Sequence, residues 1–158
     1  MCRAIVALLA LTGLPGCGMK PKTDVIPVAS GDPRMVKAIQ TARGSVGDFI
    51  AALQRPKPSQ AGFAVKMAFP ADGGAEHIWL NQIVFDGTSF RGRVNNQPEK
   101  ATGVRIGDSA TVKPEKVSDW MYVEGKRLVG GYTIRAIRDG LSSEERKQFD
   151  RESPFAID

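Results

Sequence analysis

Glu76-His77-Ile78-Trp79-Leu80-Asn81-Gln82-Ile83-Val84-Phe85 runs into Asp86-Gly87 and then Phe90-Arg91-Gly92-Arg93-Val94, and this stretch decides the fold. The first run is apolar on both faces, as a strand at the centre of a sheet is. In the second, Phe90, Gly92 and Val94 alternate with Ser89, Arg91 and Arg93, giving one dry and one wet face. An Asp-Gly pair between two such runs makes a hairpin. The sheet is therefore expected to be antiparallel at its centre.

Reading outward, Phe63, Val65, Met67 and Phe69 alternate with Ala64, Lys66 and Ala68, a half-buried strand that a loop from Pro70 to Gly74 joins to the central one. On the other side Asn95-Asn96-Gln97-Pro98 ends the hairpin. Val104 and Ile106 lead to a Gly107-Asp108 turn and a short strand through Ala110 and Val112. Val117 to Val123 reads as a further strand, Glu124-Gly125-Lys126 as a turn, and Leu128 to Ile137 as its returning partner. Helical spacing appears only at the ends. Asp32-Pro33 supplies an N-cap acid and a first-turn proline ahead of Met35, Ile39, Ala42 and Val46. Gly44 and Gly47 predict a break before a second turn-and-helix with Phe49, Ile50 and Leu53, which Arg55-Pro56-Lys57-Pro58 closes. Ser142 and Glu145 form a capping box for a last helix, which Phe149 docks on the sheet. The expectation is an α+β domain: an antiparallel sheet of about five to six strands, flanked by an N-terminal helical segment and a C-terminal helix.

Ahead of that domain, Arg3 precedes an apolar run from Ala4 to Leu14, and Leu14-Pro15-Gly16-Cys17 follows. This resembles the lipobox of bacterial lipoproteins, which implies removal of residues 1–16 and lipidation of Cys17. Thr12, Gly13 and Pro15 interrupt a run already too short to span a bilayer, which takes about 20 apolar residues. Residues 17–31 then read as the lipidated cysteine and a tether, and residues 32–158 as one domain. Each buried methylene contributes about 0.8 kcal/mol, so several acyl chains would hold the protein at a membrane permanently. Gly18 stands where Asp is absent, which by the same resemblance implies the outer membrane, facing the periplasm.

Residue counts exclude whole classes of chemistry. Cys2 would leave with the signal and Cys17 would carry lipid, so the mature domain keeps no free thiol: no disulfide framework, no thiolate nucleophile, no cysteine-ligated zinc. His77 is the single histidine, so a monomer cannot build a multi-histidine metal site. No metal or cofactor is expected. Net charge is +5 with His neutral, and +4 once Arg3 is removed, a modest balance that favours anionic headgroups or acidic partners rather than nucleic acid.

Three polar clusters interrupt the strand pattern. They are Glu76-His77-Ile78-Trp79, Asn95-Asn96-Gln97-Pro98, and Ser118-Asp119-Trp120-Met121-Tyr122 with Gly130-Gly131-Tyr132-Thr133-Ile134-Arg135. Together with Gly107-Asp108, this series resembles the YegJ-like family of bacterial proteins, a domain of unknown function. The similarity runs from Asp32 to about Phe155; Gly47 stands where the family often opens its second helix with proline. The resemblance implies kinship of fold and supplies no mechanism.

On the residues alone, His77 is the candidate general base and Asp119 its orienter, with Asn95 or Asn96 polarising a substrate. Strand parity puts Glu76 on the face opposite His77, so Glu76 cannot orient it. Trp79, Trp120, Tyr122 and Tyr132 either line a groove for a peptide or sugar or fill the core. Neither Gly73-Gly74 nor Gly130-Gly131 is expected to open a helix, so bulges or a close strand crossing are favoured over an anion cradle. Arg91 and Arg93 read as a solvated face, or with Lys66 as a basic patch against lipid headgroups. No Gly-x-Ser-x-Gly elbow is present. The reading this favours is a non-catalytic envelope module that binds a protein or glycan, with Glu76, Asn95, Asn96, Trp120, Tyr122 and Arg135 as candidate binding residues. The alternatives are a small periplasmic hydrolase or lyase using His77 and Asp119, and a toxin antagonist.

Overall fold

The structure, a computed structural model, describes the backbone of residues 3–6 and 26–29 and all of residues 31–158. Cys17 lies outside the described residues. Two short strands, β1 (Arg3–Val6) and β2 (Ile26–Ala29), pair antiparallel as a two-stranded sheet of their own, with β1 lying near β4 (Gly74–Phe85). The domain then runs α1 (Pro33–Gly44), α2 (Val46–Gln54), β3 (Gln60–Ala71), β4 (Gly74–Phe85), β5 (Phe90–Val94), β6 (Ser109–Val112), a 3-10 turn (Pro114–Lys116), β7 (Val117–Glu124), β8 (Arg127–Gly130), α3 (Tyr132–Asp139) and α4 (Ser143–Glu152). Its six strands form one antiparallel sheet in the order β6-β5-β4-β3-β7-β8, so the class is α+β as expected.

The local signals act where they stand. Asp32 caps α1 by accepting from the Arg34 amide at 2.9 Å, with Pro33 in the first turn. The helix breaks at Ser45, between Gly44 and Val46. Ser142 and Glu145 form the reciprocal capping box of α4, and Phe149 is buried. Asp86 closes the β4–β5 turn by accepting from the amides of Thr88 and Ser89.

Each sheet face has its own core. On one, Phe49 of α2 packs with Ile78, Leu80, Phe90, Val112, Trp120 and their neighbours. On the other, Met35 of α1, Ile134 and Ile137 of α3 and Phe149 of α4 gather around Ala64, Trp79 and Met121. Helix α1 also seals β7 where β8, paired only with Met121–Glu124, does not reach it: the Trp120 indole donates to the Ala42 carbonyl at 2.9 Å and Arg43 Nε to the Val117 carbonyl at 2.9 Å.

Two expectations are corrected. The strand expected from Leu128 to Ile137 stops at Gly130, and Gly131, in left-handed conformation, opens α3, so this glycine pair does begin a helix. Strand β3 is buried on both faces at its centre, because β4 and β7 flank it and helices cover it. Lys66 is 1% exposed there and cannot contribute to a basic surface patch.

Candidate functional site

Lys66 of β3, His77 of β4 and Ser118 and Asp119 of β7 meet on the face covered by α3. Lys66 lies opposite Trp79 on one side and Asp119 on the other, so the three share that face. One step further along, the ladder passes from Lys66↔Asp119 to Met67↔Val117, leaving Ser118 as an extra residue of β7. Such a bulge re-aims a side chain. It lets Ser118 join Asp119 on the face where His77 stands, and the His77 ring nitrogen Nδ1 lies 2.7 Å from Ser118 Oγ.

Asp119 does the work of a helix cap from a neighbouring strand. Gly131 has no side chain with which to cap α3, and the Asp119 carboxylate accepts from the amides of Tyr132 at 3.1 Å and Thr133 at 2.8 Å. It also accepts from the Thr133 hydroxyl at 2.6 Å and from the Trp120 amide at 2.8 Å. A negative group is stabilised at the positive end of a helix. The Thr133 hydroxyl in turn accepts from Lys66 Nζ at 2.9 Å, which gives a relay Lys66–Thr133–Asp119, all of it buried. The ammonium also sits 4.7 Å from the centre of the Trp79 ring. The Trp79 indole N–H is buried with no hydrogen-bond partner among the described residues.

Burial governs the charges. It lowers Lys66 to a pKa of about 8 against the pull of Asp119, and it pushes the Asp119 carboxyl above the ordinary range against Lys66 and its own hydrogen bonds. His77 falls to about 4, from burial first and then from the charges of Lys66 and Arg43, so it is neutral near pH 7.

The structure thus brings His77 and Asp119 to one face without a hydrogen bond between them. The partner of His77 is Ser118, brought to it by the bulge. Glu76, on the other face, is buried and holds the loop after β5: its carboxylate accepts from the amides of Glu99, Lys100 and Ala101 at 2.7–3.1 Å. Asn95 accepts from the Asn81 side chain at 2.6 Å, and Asn96 from the Trp79 amide at 3.3 Å. Trp120 and Tyr122 are stacked core residues, joined by Phe49, Phe63 and Tyr132. Arg135 donates to the carbonyls of Leu128, Gly130 and Asp158. It borders a depression of about 370 Å³ along β8, which neither His77 nor Asp119 lines. Among the described residues no group of three or more His, Cys, Asp or Glu side chains is placed to hold a metal ion.

The pattern of a family described as "Uncharacterized protein conserved in bacteria (DUF2314)" matches residues 32–156, all but the last two residues of this domain. The chain belongs to that family. It is 32% identical over 144 residues to the "Uncharacterized protein YegJ" of Escherichia coli (strain K12), covering 90% of this chain and 93% of that one. It is 40% identical over 90 residues to the "Putative ankyrin repeat protein NMB1133/NMB1171" of Neisseria meningitidis serogroup B, covering 54% of this chain and 36% of that one. No solved structure matches.

Sequence reasoning missed Lys66, Thr133 and Ser118 as members of the cluster. A usable signal existed for one of them. Lys66 stands between Val65 and Met67 in a strand flanked by apolar runs, and a lysine so placed is either an edge residue or a buried partner of an acid.

Proposed function

We propose that this protein is a non-catalytic interaction module of the cell envelope, held by lipid on Cys17 at the outer membrane and facing the periplasm. The observation that carries the reading is that the side chains best suited to chemistry are occupied inside the fold. Asp119 is 0% exposed with four donors around it, Ser118 and Lys66 are each 1% exposed, Glu76 holds a loop, and Arg135 ties three carbonyls. Groups so enclosed are shielded from a substrate, and half-buried His77 has its Nδ1 engaged by Ser118, whereas a catalytic base must come within hydrogen-bond reach of the proton it takes. What such a domain offers instead is its surface. The Neisseria relative, of which this chain matches 36%, is named "Putative ankyrin repeat protein", a context that suits an interaction module. The Leu14-Pro15-Gly16-Cys17 sequence supplies the anchor.

Two measurements test this. Growth with labelled palmitate should tag the protein, and Cys17→Ala should abolish the label. Capture from detergent-solubilised envelope should enrich a protein or glycan over the unlipidated control, and His77→Ala should leave that capture unchanged. Loss of function in a folded His77→Ala protein would replace this reading with the hydrolase or lyase using His77 and Asp119. Rescue of cells from a co-expressed toxin would instead make the partner a toxin.

A further inference from the structure

The two edges of the sheet differ. At β8 the edge is filled by the chain itself: the Leu128 amide donates to the Ala156 carbonyl at 2.9 Å, the Ala156 amide to the Lys126 carbonyl at 2.7 Å, and Arg135 takes the carbonyls of Leu128 and Gly130. Phe155 is buried beside this contact, and Asp158 closes it with its side chain 2.6 Å from Arg127 and its carbonyl 2.8 Å from Arg135. A segment carrying the acid Asp158 is thus joined, through Ala156, to a strand edge flanked by arginines.

At β6 the edge is open. Val94 exchanges both backbone bonds with Gly107 and Asp108, so the groups of Phe90, Gly92 and Val94 face β6. Opposite them stand Val112 and Ala110. The backbone groups of Ser109 and Thr111 therefore point outward, and no partner for them exists among the described residues. Both residues are exposed. Their side chains share a face with Arg91 and Arg93, which pair with Thr111 and Ser109 in register; Lys113, in extended backbone, continues the same alternation. Val112 and the half-buried Ala110 lie on the apolar face.

We propose that the β6 edge binds an extended acidic segment of another protein by strand addition, its acids facing Arg91, Arg93 and Lys113 and its alternate apolar residues facing the core side. Main-chain hydrogen bonds supply affinity and side-chain alternation supplies specificity in this mode. Charge selects this partner over a second copy, since pairing β6 with itself would bring two sets of the same three cations together. The inference rests on the interaction-module reading and names its partner class.

The probe is a fluorescein-labelled peptide of alternating glutamate and valine, titrated into the full-length protein and followed by anisotropy. Saturable binding is expected, with none for the lysine-for-glutamate peptide. Thr111→Pro removes an outward amide that β5 does not use, so the fold should survive while binding weakens about tenfold or more. The peptide N-methylated at alternate residues removes the same bonds from the ligand side, and serves if that variant does not fold. Arg91→Ala with Arg93→Ala should weaken binding and flatten its salt dependence. No saturable binding, or binding indifferent to both Thr111→Pro and N-methylation, overturns the proposal. So does concentration-dependent dimerisation lost in Thr111→Pro, which assigns the edge to a second copy, or binding to anionic vesicles in place of the peptide. Should the peptide fail while envelope capture persists, the module reading stands with another surface.

Discussion

On the face that carries α3, one half of the sheet is covered by helices and the other, among the described residues, has no helix over it. Over β3, β7 and β8 lie α1, α3 and α4, and between helices and sheet are buried Lys66 and Asp119, with Thr133 of α3 and Trp79 of the neighbouring β4. Over the outer half, Val84 is 62% exposed and Arg91, Arg93, Ser109 and Thr111 face solvent. Polar residues are common to both halves, but their roles are opposite. Under the helices every charge is held by a partner from another element, so removing one leaves another stranded. In the helix-free half each charge is solvated, and even the Arg91–Asp86 pair at 3.6 Å contributes little. A polar residue here signals structure or interaction according to what lies above it, and its type alone does not decide.

The sharpest way to break this contrast is Asp119→Ala. It strips three amides and a hydroxyl of their acceptor and leaves Lys66 buried without its counter-charge, so urea unfolding should show a loss of about 3–5 kcal/mol. Lys66→Met should lose less, because Asp119 keeps its four donors; an equal or larger loss would mean that the ammonium, not the carboxylate, organises the cluster. Next comes His77. Its folded pKa of about 4 lies below the ordinary 6.5, so the unfolded chain takes up the proton first as pH falls. Stability should therefore decline between pH 6.5 and 4, by up to about 3 kcal/mol, and His77→Gln should flatten that dependence. Trp120→Phe keeps the stacking and removes the indole donor to Ala42, which should cost about 1–3 kcal/mol by thermal or urea unfolding. At the small end, Arg93→Ala in the helix-free half should change stability by no more than about 0.5 kcal/mol. A large loss there would show that the helix-free half is structural after all.

The sequence made legible what is local. The Asp-Gly hairpin, the Asp32 and Ser142 caps and the break at Ser45 each depend on residues within a few positions of one another, and each lies where the residues predicted it. Helix α3 escaped because its cap is not local: Asp119 is 13 residues away, Gly131 offers no side chain, and Tyr132-Thr133-Ile134 has strand-forming character. Lys66 was misread for a related reason. Alternation within β3 gave its face correctly, but only the placement of Trp79, Asp119 and Thr133 shows that this face is also dry. The partition of the candidate residues had the same source. Parity separated Glu76 from His77, yet it could not supply the backbone shift that pairs His77 with Ser118.

That shift also bears on how this chain tolerates changes of length. Because Ser118 is the residue of β7 that the ladder does not match, its deletion would bring Val117 and Asp119 together as ordinary neighbours on opposite faces, where they already are. Removing any adjacent residue instead turns one side of the strand inside out. Within this family a one-residue gap should therefore be found at Ser118 before it is found anywhere else in β7, and where it occurs the histidine at position 77 should have been replaced, having lost the hydroxyl that holds it.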